Sequence, residues 1–288
     1  MKENTSLLFS WIIILSGFYS VQCAAADITE YTVIISQCSQ LDTLSPLDSN
    51  EKSRSERKKS QRNQDQKEAM PVMFKEGDGV TDVDGKYYTS IIIQDQEWMQ
   101  HNLSVSRYRN GDLIPTDLNR TQWQVAKEGA YSIDRTNALY DSLYGKLYNW
   151  YAVNDERGLC PLGWHVPSDQ DWTILEMNVG MEAGTKFKSA IGWKEAERRG
   201  WKRLFHYGAK KKSKDLNSVG FSALPGGMKT MFDEVEYVGL FGYWWTSTAY
   251  DESVAFDRQL YYSLPAMVKF WGNNKFFGYS VRCIKDQL

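Results

Sequence analysis

The sequence predicts an α+β domain of short, mostly antiparallel strands, one or two helices and long loops, and three observations lead there. Eleven Trp and seventeen Tyr among 288 residues, against seven Pro, describe an extended, loop-rich chain whose core is filled by rings. Brief β-branched or aromatic runs alternate with turns built on Gly, Asn and Asp. One stretch, Gly158 to Glu176, switches from strand to helix within a few residues.

That central stretch organises the rest. Pro161 and Gly163 punctuate a turn, the first by fixing φ and the second by tolerating positive φ. Trp164, His165 and Val166 suit a short strand, which Pro167 stops. Ser168 caps the following helix, and Asp171 three residues on completes a capping box at the positive end of the helix dipole. Trp172 and Leu175 then follow at helical spacing, so both face inward.

At the N-terminus, Leu7 to Tyr19 is an apolar run with Lys2 before it and Cys23-Ala24-Ala25-Ala26 after it. It falls short of the roughly twenty residues that span a bilayer. A basic start, a short apolar middle and an Ala-x-Ala site describe a signal peptide over 1–26, cleaved after Ala26. The alternative is lipidation at Cys23, although Gln22 suits that poorly. Either route places the protein outside the cytoplasm, secreted or at the cell surface. Membrane attachment is expected only through such a lipid anchor.

Residues 27–76 read as an extended leader and a charged linker. Tyr31 to Ile35 is strand-like, whereas 50–68 lacks the apolar residues that would repay the entropy of ordering it. A net charge of −2 and the mixed acids of that linker argue against a nucleic-acid partner. The folded domain is assigned to 77–288. It opens on a hairpin over 80–93 with Asp84-Gly85 at its turn, followed by a second turn at Asn110-Gly111. Tyr148, Tyr151 and Ala152 stand at helical spacing. A basic insertion over 194–214 is a solvated loop, or a dock for an acidic polymer. Gly220–Gly227 and Gly242–Thr248 then supply glycine turns and an aromatic strand.

Cys-Pro-Leu-Gly-Trp-His-Val-Pro-Ser-Asp-Gln-Asp-Trp, from Cys160 to Trp172, closely resembles the core motif of the Fibrobacter succinogenes major paralogous domain, found in surface and secreted proteins of Bacteroidetes and Fibrobacteres. Further motifs agree in order: Val-Thr-Asp-Val-Asp-Gly from Val80, Trp98-Met-Gln-His-Asn-Leu, Tyr108-Arg-Asn-Gly-Asp, Gly242-Tyr-Trp-Trp-Thr-Ser-Thr and Gly278-Tyr-Ser-Val-Arg-Cys. The resemblance implies a C-type-lectin-like fold related to the sulfatase-modifying factors. It also implies a helix over Tyr144 to Val153 and a terminal strand that returns beside the first helix, bridging Cys160 to Cys283. Cys38 is then odd. The polar strand pair usual in the family is replaced here by Leu264 to Trp271.

Catalytic signals are few. His101, His165 and His206 have no metal-ligand spacing, and His165 reads as a structural residue. Asp82 and Asp84 resemble the start of a calcium loop that lacks its acidic twelfth ligand. The thiol pair of a sulfatase-modifying enzyme is missing, as are a nucleophile elbow and a phosphate loop. The expectation is therefore a non-catalytic, cofactor-free binding or adhesion module of the bacterial envelope with a polysaccharide or other envelope component as partner. The alternative is a structural surface protein without a defined small ligand, with an enzyme related to the sulfatase-modifying factors in third place. Trp244, Trp245, Tyr261 and Trp271 are the candidate ligand platform. In a strand Trp244 and Trp245 point to opposite faces, so one is expected in the core and the other at the surface.

Overall fold

In a computed structural model of the chain, the described residues are 74–135, 140–194, 215–232 and 234–287, all within the compact unit Met70–Leu288. The signal peptide, Cys23, Cys38, the charged linker, His206 and the basic segment 195–214 lie outside them. The architecture is α+β, with several small antiparallel sheets and five short helices among the described residues.

The largest sheet runs β1 (Phe74–Glu76), β4 (Ser90–Ile93), β5 (Gln96–Met99), β14 (Ile284–Lys285) and β8 (Trp164–His165) in that order. Its hairpin joins β4 (Ser90–Ile93) to β5 (Gln96–Met99) through Gln94-Asp95, with Gln94 at φ 57°. The Ser-Ile-Ile-Ile run of β4 suits a strand buried on both faces, and it pairs with β1 (Phe74–Glu76) on its other side. The terminal strand β14 (Ile284–Lys285) inserts between β5 and β8 (Trp164–His165), pairing Ile284 with both Trp98 and His165. The first and last parts of the domain therefore hold each other.

The expected hairpin turn differs in detail. β2 (Val80–Thr81) pairs with β3 (Tyr87–Tyr88), and the five residues 82–86 connect them, closed by Gly85 N–H donating to Asp82 O and by Asp82 N–H donating to Lys86 O. Gly85 takes φ 86°, the left-handed position such a loop requires. The Asn110-Gly111 turn repeats this pattern, with Gly111 at φ 94° donating to Tyr108 O.

Among the described residues five helices replace the one or two expected. In chain order they are α1 (Arg120–Val125), α2 (Tyr140–Tyr144), α3 (Trp150–Val153), α4 (Asp169–Val179) and α5 (Ala183–Phe187). All but α4 are one or two turns long, too short to show as periodicity. Local caps hold α1 and α3, through the side chains of Asn119 and Asn149. The single helix expected over Tyr144 to Val153 is broken: Gly145 at φ 76° ends α2, and Leu147–Tyr148 forms strand β7 against Tyr131–Ser132 of β6 before α3 begins. α4 matches the reading of the central stretch. Ser168 and Asp171 form the capping box, and Trp172, Leu175 and Val179 are buried.

After the small pair β9 (Met228–Lys229) and β10 (Val235–Glu236), a three-stranded sheet, β11 (Phe241–Ala249), β12 (Val254–Tyr261) and β13 (Met267–Asn274), completes the domain. Its first strand divides the interior. On one side Trp244 joins the cluster of Trp98, Trp172, Phe187 and Phe221, and on the other Trp245 joins that of Tyr148, Trp150, Tyr279 and Cys283.

Candidate ligand face on the three-stranded sheet

Side chains paired across antiparallel strands share a face, so register sorts this sheet. Trp244, Arg258 and Lys269 fall on one face, and Trp245, Asp257 and Phe270 on the other. The first face packs on α4. Arg258 is almost wholly buried there and donates to Asp169 Oδ1 at 2.7 Å, Glu176 Oε2 at 2.6 Å and Thr173 Oγ1 at 2.9 Å. Lys269 reaches Asp169 Oδ2 at 2.6 Å. Burial raises the Glu176 carboxyl above its usual range, with Arg258 opposing. This face is a structural clamp.

The second face opens from inside to outside. Tyr243 and Trp245 on β11 are buried beneath Tyr279, with Tyr243 stacked on it at 5.0 Å. Asp257 and Gln259 on β12 are buried. On the outer strand Asn273 is half-buried and Phe270 is 42% exposed. At the far end Tyr261 is half-buried against Phe241, ring centroids 5.0 Å apart, and Phe241 also touches Tyr237 and Tyr262.

A polar ladder crosses this face. Gln259 Nε2 donates to Asp257 Oδ1 at 2.7 Å, and Asn273 Nδ2 donates to Asp257 Oδ2 at 2.7 Å. The Tyr261 hydroxyl donates to Gln259 Oε1. Burial pushes the Asp257 carboxyl up to about 7, against the pull of the two amide donors and of Arg258. The buried acid is thus satisfied by two amides, one of which also accepts from a phenol, and partly exposed rings border the ladder.

The four platform residues do not come together. Trp244 and Trp245 are both 0% exposed, which corrects the expectation of one exposed indole. Alternation does send them to opposite faces, but β11 has a core on each side. Each indole N–H is satisfied internally, Trp244 by Asn102 Oδ1 at 2.9 Å and Trp245 by Tyr148 O at 2.9 Å. Trp271 is 61% exposed, pairs with Phe256 on the face opposite Tyr261, and lies beside Phe270 with centroids 6.2 Å apart. Only Tyr261 belongs to the ladder. Asp257, Gln259 and Asn273 went unnoticed in the sequence. β12 reads Val-Ala-Phe-Asp-Arg-Gln-Leu-Tyr, with its three polar residues in a row, so no alternation marked them.

The remaining expectations resolve locally. Cys160 and Cys283 are disulfide-bonded, with Cα atoms 6.0 Å apart. His165 Nδ1 meets Asp286 Oδ1 at 2.6 Å and Nε2 faces Asp171 at 3.6 Å, as a structural histidine would. Asp82 accepts from the Tyr88 hydroxyl and the Lys86 N–H within the hairpin, and Asp84 accepts from the Ser106 N–H, tying the hairpin to the next segment. No group of three potential metal ligands occurs among the described residues, and no helix among them is long and apolar enough to cross a membrane. An open polar cleft near α3 is lined by Lys127, Glu128, Tyr151, Asp155, Glu156 and Arg157. Its Arg157 is occupied by Asp155 at 2.8 Å.

Two motif residues hold the interior together. Arg282, fully buried, donates to Phe221 O and to Asn102 Oδ1 at 3.0 Å, and burial lowers its pKa to about 9. Asn102 also donates to Tyr144 O at 2.8 Å and Ser280 Oγ at 3.1 Å, linking four segments.

Neither the curated proteins nor the solved structures hold a match to the chain. The family model for the Fibrobacter succinogenes major domain matches residues 91–285, more than half of the 288 residues and nearly all of the described domain. The chain belongs to the Fibrobacter succinogenes major domain family.

Proposed function

We propose that this protein is an exported, non-catalytic binding module of the bacterial envelope whose ligand is a polysaccharide, held on the face formed by Asp257, Gln259, Tyr261, Phe270 and Asn273. The observation that carries the reading is the polar ladder bordered by two partly exposed rings. Sugars combine apolar C–H faces, which lie on aromatic rings, with hydroxyls that need fixed hydrogen-bond partners. The disulfide supports an oxidising compartment. Closure of the domain by β14, next to the bridge to Cys160, supports a C-type-lectin-like reading of the fold. Cys283, the late thiol that a sulfatase-modifying relative would need, is oxidised and buried, which favours a role without catalysis.

A structural surface protein is the second reading, favoured by the use of both Trp244 and Trp245 as core. Glycan-array binding of the full chain separates the two. The first expects discrete hits that disappear in Phe270→Ala and Tyr261→Ala. Hits that persist in both variants would move the site elsewhere, and an array without hits would leave the structural role.

A further inference from the structure

Two acceptors at the rim of this face are left over. Asn273 turns its Nδ2 toward Asp257, which directs its Oδ1 away, and among the described residues nothing donates to that oxygen. Tyr261 spends its O–H on Gln259 Oε1 and keeps its phenolic lone pairs. Both polarities trace to one group. An ionised Asp257 only accepts, so Asn273 and Gln259 must present N–H to it and carbonyl elsewhere. Gln259 Oε1 is then the acceptor that orients Tyr261. The one cation that follows on this side, Lys275 two residues past Asn273, is buried over Trp150 and donates to Asp251 O at 2.7 Å, so it is already held. Arg258 and Lys269, on neighbouring positions, point to the other face and are held by Asp169 and Glu176.

Building on the reading of this face as a glycan site, we infer that its ligand is a neutral, hydroxyl-rich saccharide whose hydroxyl hydrogens go to Asn273 Oδ1 and the Tyr261 oxygen, with Asp257 as the positioning residue that sets this polarity. A carboxylated or sulfated sugar would meet outward acceptors and a buried carboxylate, with Lys275 held at Asp251 O and Trp150 rather than free to offset them. It would lose hydration without gaining a partner.

The polarity is also titratable. Around Asp257 the charged and titratable groups are Arg258 on its own strand, Tyr243 on β11, Tyr261 at the end of β12 and Tyr279 from the C-terminal segment. Burial holds the three phenols neutral, and β13 faces the acid with Asn273 and Phe270, neither of which ionises. Asp257 is therefore the group that changes state near neutrality. Once protonated, its O–H must donate to an amide oxygen, which turns that amide around and brings an N–H to the outside.

The test uses the full chain on an array pairing neutral glycans with sialylated, sulfated and uronic-acid counterparts at pH 8. Hits confined to neutral glycans are expected. Acidic hits of equal or greater strength would overturn the neutral-ligand inference and leave the glycan face standing; an array without hits overturns both. For a neutral hit, affinity should fall about tenfold between pH 8 and pH 5.5, as one lost oriented hydrogen bond predicts. Asp257→Asn should bind at the lower level at both pH values, and an unchanged pH profile in that variant overturns the positioning role. Should Asp257→Asn fail to fold, Tyr261→Phe carries the same question: it keeps the ring, and without the oxygen its binding at pH 8 should weaken several-fold. Full binding by Tyr261→Phe overturns the inference.

Discussion

Arg258 Nη2 lies 2.7 Å from Asp169 Oδ1, tying the middle strand of the three-stranded sheet to the first turn of α4. The guanidinium is 2% exposed and also reaches Glu176 at 2.6 Å. Removing one member of such a buried pair strands the others, at a cost of about 3–5 kcal/mol. Arg258→Ala should lower the urea midpoint accordingly, and an unchanged midpoint would mean that the clamp contributes nothing.

The two central indoles should behave alike. Trp244→Ala and Trp245→Ala each empty a large core site and should each cost roughly 3–5 kcal/mol in equilibrium unfolding. Trp271→Ala, at an exposed position, should stay within about 0.5 kcal/mol. A mild effect at either central position would contradict a core on both sides of β11.

The Cys160–Cys283 bridge spans 123 residues of sequence. In the chain-entropy model a loop of that size contributes about 4–5 kcal/mol. Unfolding of the Cys160→Ala/Cys283→Ala double variant should shift by that order, with dithiothreitol producing a similar shift in the unaltered protein once the buried bridge is reduced.

His165 predicts an alkaline limb. Asp171 on one side and Asp286 on the other raise the imidazole above its ordinary value, partly offset by burial. Because the folded pKa lies above the unfolded one, the stabilisation is complete below about 6.5. It is lost as pH rises through the folded value. Melting temperatures of the unaltered protein and His165→Gln should therefore differ most near pH 5.5–6 and converge at alkaline pH. A constant gap across that range would assign the difference to packing.

Asp257 has the opposite signature. An acid pushed up to about 7 by burial keeps a proton in the folded state that the unfolded chain has already released. Stability therefore falls as pH rises from about 4 toward 7, and the penalty is full above that. Asp257→Asn removes it. The variant should gain on the unaltered protein in melting temperature as pH goes from 4 to 8. A gain of equal size at both ends would rule out ionisation as its cause.

Local chemistry was legible in the sequence. The Ser168–Asp171 capping box, the inward Trp172 and Leu175, and the positive φ of Gly163 each depend on neighbours a few residues away, and all appear as expected. The motif order also identified the family, because several separated signatures in sequence specify a fold more tightly than any one of them. The Cys160–Cys283 pairing was implied by that resemblance. Tertiary packing decided the rest. Period-two alternation tells which residues share a face, and it placed Trp244 and Trp245 on opposite sides of β11 correctly. It does not tell whether a face is covered, and here both are. The same gap hid the candidate site. Asp257, Gln259 and Asn273 are ordinary polar letters in the chain. They become one ladder only when the register of β12 against β13 sets Asn273 beside the buried carboxylate. Tyr261 and Trp271 looked equivalent as letters, and register placed them on opposite faces, because side-chain direction is local whereas burial depends on strands and helices distant in sequence.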